Sequence, residues 1–170
     1  MITLLGLNLA FASPASAQAE AQAAPDADAW TLVDAESGEP LAGENADEEL
    51  PMASTTKIMT ALVILEEVED LEENVTVSES AAEYARPPYS NVGLRAGDML
   101  TARELLMAAM IQSGNDAAYA IAEHVGGGSS ERFVEMMNSR AEELGLDDSD
   151  FDNPVGLDGE VHHSSASDLA

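Results

Sequence analysis

The chain has 170 residues, 45% of them hydrophobic, and carries 33 acidic against 6 basic side chains for a formal net charge of −27. That length holds one modest domain or most of a larger one, and the charge excludes nucleic acid and anionic membrane surfaces, which both need basic patches. With no cysteine, disulfides and thiolate metal sites are excluded as well.

The elements can be read in chain order. Ile2 to Ala12 is apolar, and Ser13-Pro14-Ala15-Ser16-Ala17 has the small-x-small pattern of a signal-peptidase site. We expect residues 1–17 to be a cleaved signal peptide, and the chain to be exported to the periplasm or the outer face of the cytoplasmic membrane. No Lys or Arg precedes the apolar run, so the true start is expected upstream. Residues 18–29, rich in Ala, Gln and Asp, read as a disordered leader.

Trp30 to Asp34 and Pro40 to Glu44 read as a β-hairpin turning at Glu36-Ser37-Gly38-Glu39. After an acidic loop to Leu50, the run Ile58 to Leu65 is apolar on every side, which predicts a helix buried all round. Asn74 to Ser78 is a strand candidate, followed by loops through Arg86–Ser90 and Gly93–Asp98. Thr101-Ala102-Arg103-Glu104 is a capping box opening a helix to about Gln112. Ser113-Gly114-Asn115-Asp116 interrupts, and a second helix follows over Ala117–Val125, closed by Gly126-Gly127-Gly128. Ser129-Ser130-Glu131-Arg132 opens a third, with Phe133, Met136, Met137 and Ala141 on one face and Gly145 at its end. Met107, Met110, Met136 and Met137 read as core filler. The tail contains a turn at Asn153–Asp158 and the start of a helix at Ser165.

Lys57 is the only lysine in the chain, and it follows Ser54 by three residues at the mouth of the apolar helix. Residues at i and i+3 share a helix face. A serine becomes a nucleophile when a neighbouring base takes its proton, and a lysine kept neutral by burial can be that base. We therefore expect the pKa of Lys57 to be lowered. Alone, the pair reads as a helix cap, and Ser113-Gly114-Asn115 alone reads as a cap in a tight turn.

Three motifs in order change that: Ser54-x-x-Lys57, Ser113-Gly114-Asn115, and Asn153-Pro154-Val155-Gly156-Leu157-Asp158 followed by His163 and Ser165-Ala166-Ser167-Asp168-Leu169-Ala170. From about Trp30 to Ala170, with Gly93–Gly97 and Met136-Met137-Asn138, the chain resembles the serine-type D-alanyl-D-alanine carboxypeptidases, the low-molecular-mass penicillin-binding proteins. The resemblance implies an α+β fold of the β-lactamase/transpeptidase type, a helical subdomain with part of an antiparallel sheet. It implies that Ser54 attacks the penultimate D-alanine of a peptidoglycan stem peptide, with Lys57 accepting its proton. Ser113 would relay a proton to the leaving amine, and Asn115 would bind the substrate backbone. β-Lactams would acylate Ser54. No cofactor or metal is implied, and adjacent His162 and His163 lack spaced partner ligands. A structural hydrogen bond is expected for His163, and surface ion pairing for Arg95 and Arg103, which could otherwise clamp a substrate carboxylate.

The alternatives are a β-lactamase or an endopeptidase with the same chemistry, or a non-catalytic scaffold of the same fold. The glycine in Ser113-Gly114-Asn115 favours a carboxypeptidase, because the β-lactamase form usually has Asp there. The family's third element, Lys-Thr-Gly, has no counterpart, since no second lysine exists. We expect an N-terminal fragment: an incomplete catalytic domain over 30–170, without the family's C-terminal membrane anchor.

Overall fold

A computed structural model describes residues 25–170. The signal-peptide expectation, residues 1–17, lies outside the described residues, as do residues 18–24 of the expected leader. Residues 26–29 run as bends into the first strand, exposed as far as Asp28, and the Asp28 carbonyl accepts from Asn45 Nδ2 at 2.8 Å.

Strands β1 (Trp30–Val33) and β2 (Pro40–Glu44) form the expected antiparallel hairpin, with Trp30 opposite Glu44. A 3-10 turn, Ala53–Thr56, leads into α1 (Lys57–Glu67). β3 is shorter than expected, Asn74–Thr76, because Ser78 caps a short helix α2 (Glu79–Ala82) and accepts from Ala81 N. β3 pairs antiparallel with β4 (Met99–Thr101), a strand hidden in sequence behind the turn-rich Gly93–Asp98 segment.

The capping box at Thr101 is formed in both directions and opens α3 (Ala102–Ile111). α4 (Asn115–Val125) starts two residues earlier than expected, which places Asn115 and Asp116 in its first turn. α5 (Ser130–Leu144) is capped by Ser129 and closed by Gly145 in the left-handed conformation, and α6 (Ala166–Leu169) is capped by Ser165.

The alanine-rich α4 is the central element, packed against α1, α2, α3 and α5. Its Ala117, Ala118, Ala120, Ile121 and Ala122 are buried, and the four alanines allow the neighbouring helices to approach closely. Met59, Val63 and Ile64 of α1, Leu105 and Ala109 of α3, and Phe133, Met137 and Ala141 of α5 complete the core. α1 departs from expectation: Ile58 and Leu65 are 53% and 54% exposed, so one apolar flank faces outward. Met107 and Met110 are also exposed, and of the four methionines read as core filler only Met137 is fully buried.

The tail runs back over the start of the domain. Isolated bridges join Leu50 to Ser164 and Asp150 to His163. Asn138 on α5 clamps Phe151 through two hydrogen bonds, donating to its carbonyl at 2.8 Å and accepting from its N–H at 2.9 Å. This return path brings the Asn153–Asp158 turn onto the N-terminal end of α1.

Candidate active site

The site is built on the 3-10 turn that opens α1. Ala53 has φ +47, a left-handed conformation that costs a non-glycine residue about 1–2 kcal/mol. After that kink, Ser54 is exposed, and its hydroxyl makes no capping bond to the helix. The Ser54 N–H is one of the donors that a helix start leaves without an intrahelical acceptor.

Lys57 is 3% exposed, and its Nζ lies 3.3 Å from Ser54 Oγ, 2.8 Å from Asn115 Oδ1 and 2.7 Å from the Val155 carbonyl oxygen. This set decides what a neutral lysine would do. Asn115 Oδ1 and the Val155 carbonyl can only accept, so they take the two protons of the amine. Its lone pair is then left for the third neighbour, the Ser54 hydroxyl. Among the described residues no carboxylate forms a salt bridge with Lys57. Burial lowers its pKa from 10.5 to about 8, as expected for a site where desolvation outweighs the distant acidic surface.

The Val155 carbonyl reaches Lys57 because Asn153 folds its loop. Asn153 Oδ1 accepts from the N–H groups of Val155, Gly156 and Leu157 at 3.2, 2.8 and 3.0 Å. Thr60 of α1 holds the same loop by donating to the Pro154 carbonyl at 2.8 Å.

The structure thus joins Ser54, Lys57 and Asn115 in one hydrogen-bonded group. Ser113 is not bonded into it. It is half-buried with φ +55, one residue before the Gly114 N-cap of α4, and its hydroxyl makes no hydrogen bond among the described residues. Asn115 also donates its backbone N–H to the Ser90 carbonyl at 2.8 Å, which ties the site to the preceding loop. The adjacent Asp116 is fully buried, and its carboxylate accepts from the N–H groups of Val92, Leu94 and Ala117 at 3.0–3.2 Å. No metal-binding cluster of His, Asp or Glu occurs among the described residues, and no helix there is long and apolar enough to cross a membrane.

Sequence reasoning missed three contributors. The Val155 carbonyl has no side-chain signature. Asp116 sat in view beside Asn115 but read as part of a break. The structural histidine is His162, 5% exposed and bonded to Thr56, whereas His163 pairs through its backbone and lies 3.6 Å from Glu49. Of the two arginines expected in surface ion pairs, Arg103 pairs with Glu72, whereas the Arg95 side chain forms no salt bridge among the described residues and only its backbone N–H reaches Asp98.

The structure thus sets a serine and a desolvated lysine at hydrogen-bond distance in a helical domain with small antiparallel sheets. Residues 16–170 match the peptidase S11 family, D-alanyl-D-alanine carboxypeptidase, and the chain belongs to that family. It is 41% identical over 151 residues to D-alanyl-D-alanine carboxypeptidase DacF of Bacillus subtilis, covering 86% of this chain and 38% of that protein. It is 40% identical over 169 residues to DacC of Escherichia coli, covering 94% of this chain and 42% of the relative. Penicillin binding protein 5 from Haemophilus influenzae superposes with a TM-score of 0.81 at 33% identity, over 88% of this chain and 45% of that one. The chain therefore spans about two-fifths of the length of these curated relatives.

Proposed function

We propose that this chain carries the nucleophile and base of a serine D-alanyl-D-alanine carboxypeptidase. The observation that carries the reading is Lys57 Nζ, held by Asn115 Oδ1 and the Val155 carbonyl and placed 3.3 Å from Ser54 Oγ. Neutral Lys57 takes the Ser54 proton as Oγ adds to the carbonyl of the penultimate D-alanine. The Ser54 N–H stabilises the developing oxyanion, and one such donor is worth on the order of 3 kcal/mol. As the C–N bond breaks, Ser113 relays to the departing D-alanine amine the proton that Lys57 took up, and water then hydrolyses the acyl-enzyme ester to free Ser54. The Asn115 side-chain N–H group, whose oxygen is engaged by Lys57, binds the substrate backbone.

β-Lactams acylate the same serine in this reading. The apolar segment and small-x-small pattern over residues 1–17 support export, with the chain working on stem peptides in the periplasm or at the outer face of the membrane.

Intact-mass spectrometry after exposure to a penicillin tests this directly. The wild-type chain should gain one penicillin mass and Ser54→Ala none. Because the reactive form of Lys57 is the neutral amine, the acylation rate should rise with pH and level off above about 8. No adduct on the wild-type chain at any pH overturns the reading for this chain, and a rate flat from pH 6 to 9 overturns the role of Lys57.

A further inference from the structure

The nucleophile turn is gripped from behind by a buried polar chain that the acyl-transfer steps do not use. Thr56 Oγ1 lies 2.7 Å from the Ala53 carbonyl oxygen and 2.7 Å from His162 Nε2, and both side chains are buried. A hydroxyl has one proton, and a carbonyl cannot donate. Thr56 therefore donates to Ala53, and His162 must donate to Thr56 from Nε2. The other ring nitrogen, Nδ1, is 3.1 Å from the Asp152 backbone N–H, which needs a bare acceptor there.

The assignment is consistent along its whole length: Asp152 N–H to Nδ1, Nε2–H to Thr56 Oγ1, and Thr56 O–H to the Ala53 carbonyl. Such chains polarise one another and strengthen in a dry interior.

The acidic surroundings do not reverse this. Asp152, Asp158 and Asp150 all pull the imidazole toward its charged form, yet burial is the larger effect and, with His163, pushes the pKa down. The Asp152 carboxylate oxygen nearest Nδ1, at 3.2 Å, already accepts from Asn153 Nδ2 at 2.6 Å. Phe151, clamped by Asn138 of α5, meets the imidazole edge-on at 6.0 Å between ring centroids and fixes its plane.

We propose that His162, as the neutral tautomer with its proton on Nε2, is a positioning residue for the nucleophile: through Thr56 it holds the Ala53 carbonyl, and with it the left-handed turn that presents Ser54. The Ala53 conformation is strained for a non-glycine residue and persists only where its surroundings over-determine it. His162 and Thr56 supply that constraint from a loop more than a hundred positions away. The catalytic consequence rests on the acyl-transfer reading, whereas the geometry of the turn does not.

The test uses the 170-residue chain and two pairs of variants. His162→Leu and Thr56→Val break the relay, while His162→Gln and Thr56→Ser keep a donor or hydroxyl in place. The backbone amide resonances of Ser54 and Thr55 report the turn without reference to reactivity. They should move in the Leu and Val variants and stay near wild type in the Gln and Ser variants. Nitrogen NMR of the wild-type imidazole should show a protonated Nε2 and a bare Nδ1.

Where penicillin acylates wild type, the Leu and Val variants should react about tenfold or more slowly, since small misplacements near reacting atoms are costly. The Gln and Ser variants should return to within roughly threefold of wild type, less than about 1 kcal/mol of barrier. An unreactive wild type with the amide pattern intact overturns the acyl-transfer reading and leaves the positioning role standing. A proton found on Nδ1, or Ser54 and Thr55 amides unmoved in both disrupting variants, overturns the positioning role. If His162→Leu fails to fold, the Thr56 pair and the tautomer measurement decide.

Discussion

Gly156 has φ +86 and packs so tightly on the Ala53–Ser54 turn that an added Cβ would stand 2.0 Å from the Ala53 carbonyl oxygen and 2.9 Å from the Ser54 nitrogen. Both the backbone conformation and the space therefore require glycine there. Gly156→Ala should lower stability by about 2–5 kcal/mol, summing left-handed strain and overpacking. It should also displace the Ser54 N–H and slow penicillin acylation. Urea unfolding read beside acylation rates checks this, and wild-type values in both would show that the loop yields without cost. Ser113 shares the strained backbone of Ala53, so the residues that flank the site hold conformations the chain would not adopt unaided.

At the scale of elements, α4 delivers Asn115 because its first turn is anchored at two points. The Asn115 N–H reaches the Ser90 carbonyl, and the buried Asp116 carboxylate gathers the N–H groups of Val92 and Leu94. A carboxylate suits a helix N-terminus, where the peptide dipoles favour negative charge. Asp116→Asn keeps the volume but leaves one oxygen for three donors. It should cost about 1–3 kcal/mol, the range for a buried donor left unsatisfied. Amide exchange at Val92 and Leu94 should quicken, while exchange in the centre of α5 should change only as global stability does. Unaltered exchange at Val92 and Leu94 would show that the loop is held by other contacts.

For the whole molecule, charge is the outlying property. Ion pairs such as Arg103 with Glu72, and Arg140 with Glu66 and Glu143, are partly or fully exposed and contribute little each. Against them stands a net charge of −27, whose self-repulsion works against the compact state. Salt shortens the Debye length from about 10 Å at 0.1 M to about 3 Å at 1 M, weakening repulsion among many acids more than attraction to few bases. The thermal midpoint should therefore rise with added potassium chloride. Such a composition fits a protein adapted to high salt, and a flat response up to molar salt would remove that explanation.

Features that act within a turn or two of helix are legible in residue order alone. The capping box at Thr101, the caps at Ser129 and Ser165, the Gly145 stop and the Ser54–Lys57 spacing all follow from contacts between residues three or four apart. The apolar helix mouth suggested a lowered Lys57 pKa, but the burial that lowers it is supplied by packing, since the next residue, Ile58, faces outward. Tertiary structure decided the rest. Only packing could bring the Val155 carbonyl to Lys57 across 98 positions, choose His162 over His163, pair β3 with β4, and turn Ile58 and Leu65 outward. A backbone carbonyl has no residue type to announce it. Two adjacent histidines differ only in which one the loop points inward, and an apolar run does not say which of its sides a neighbour will cover.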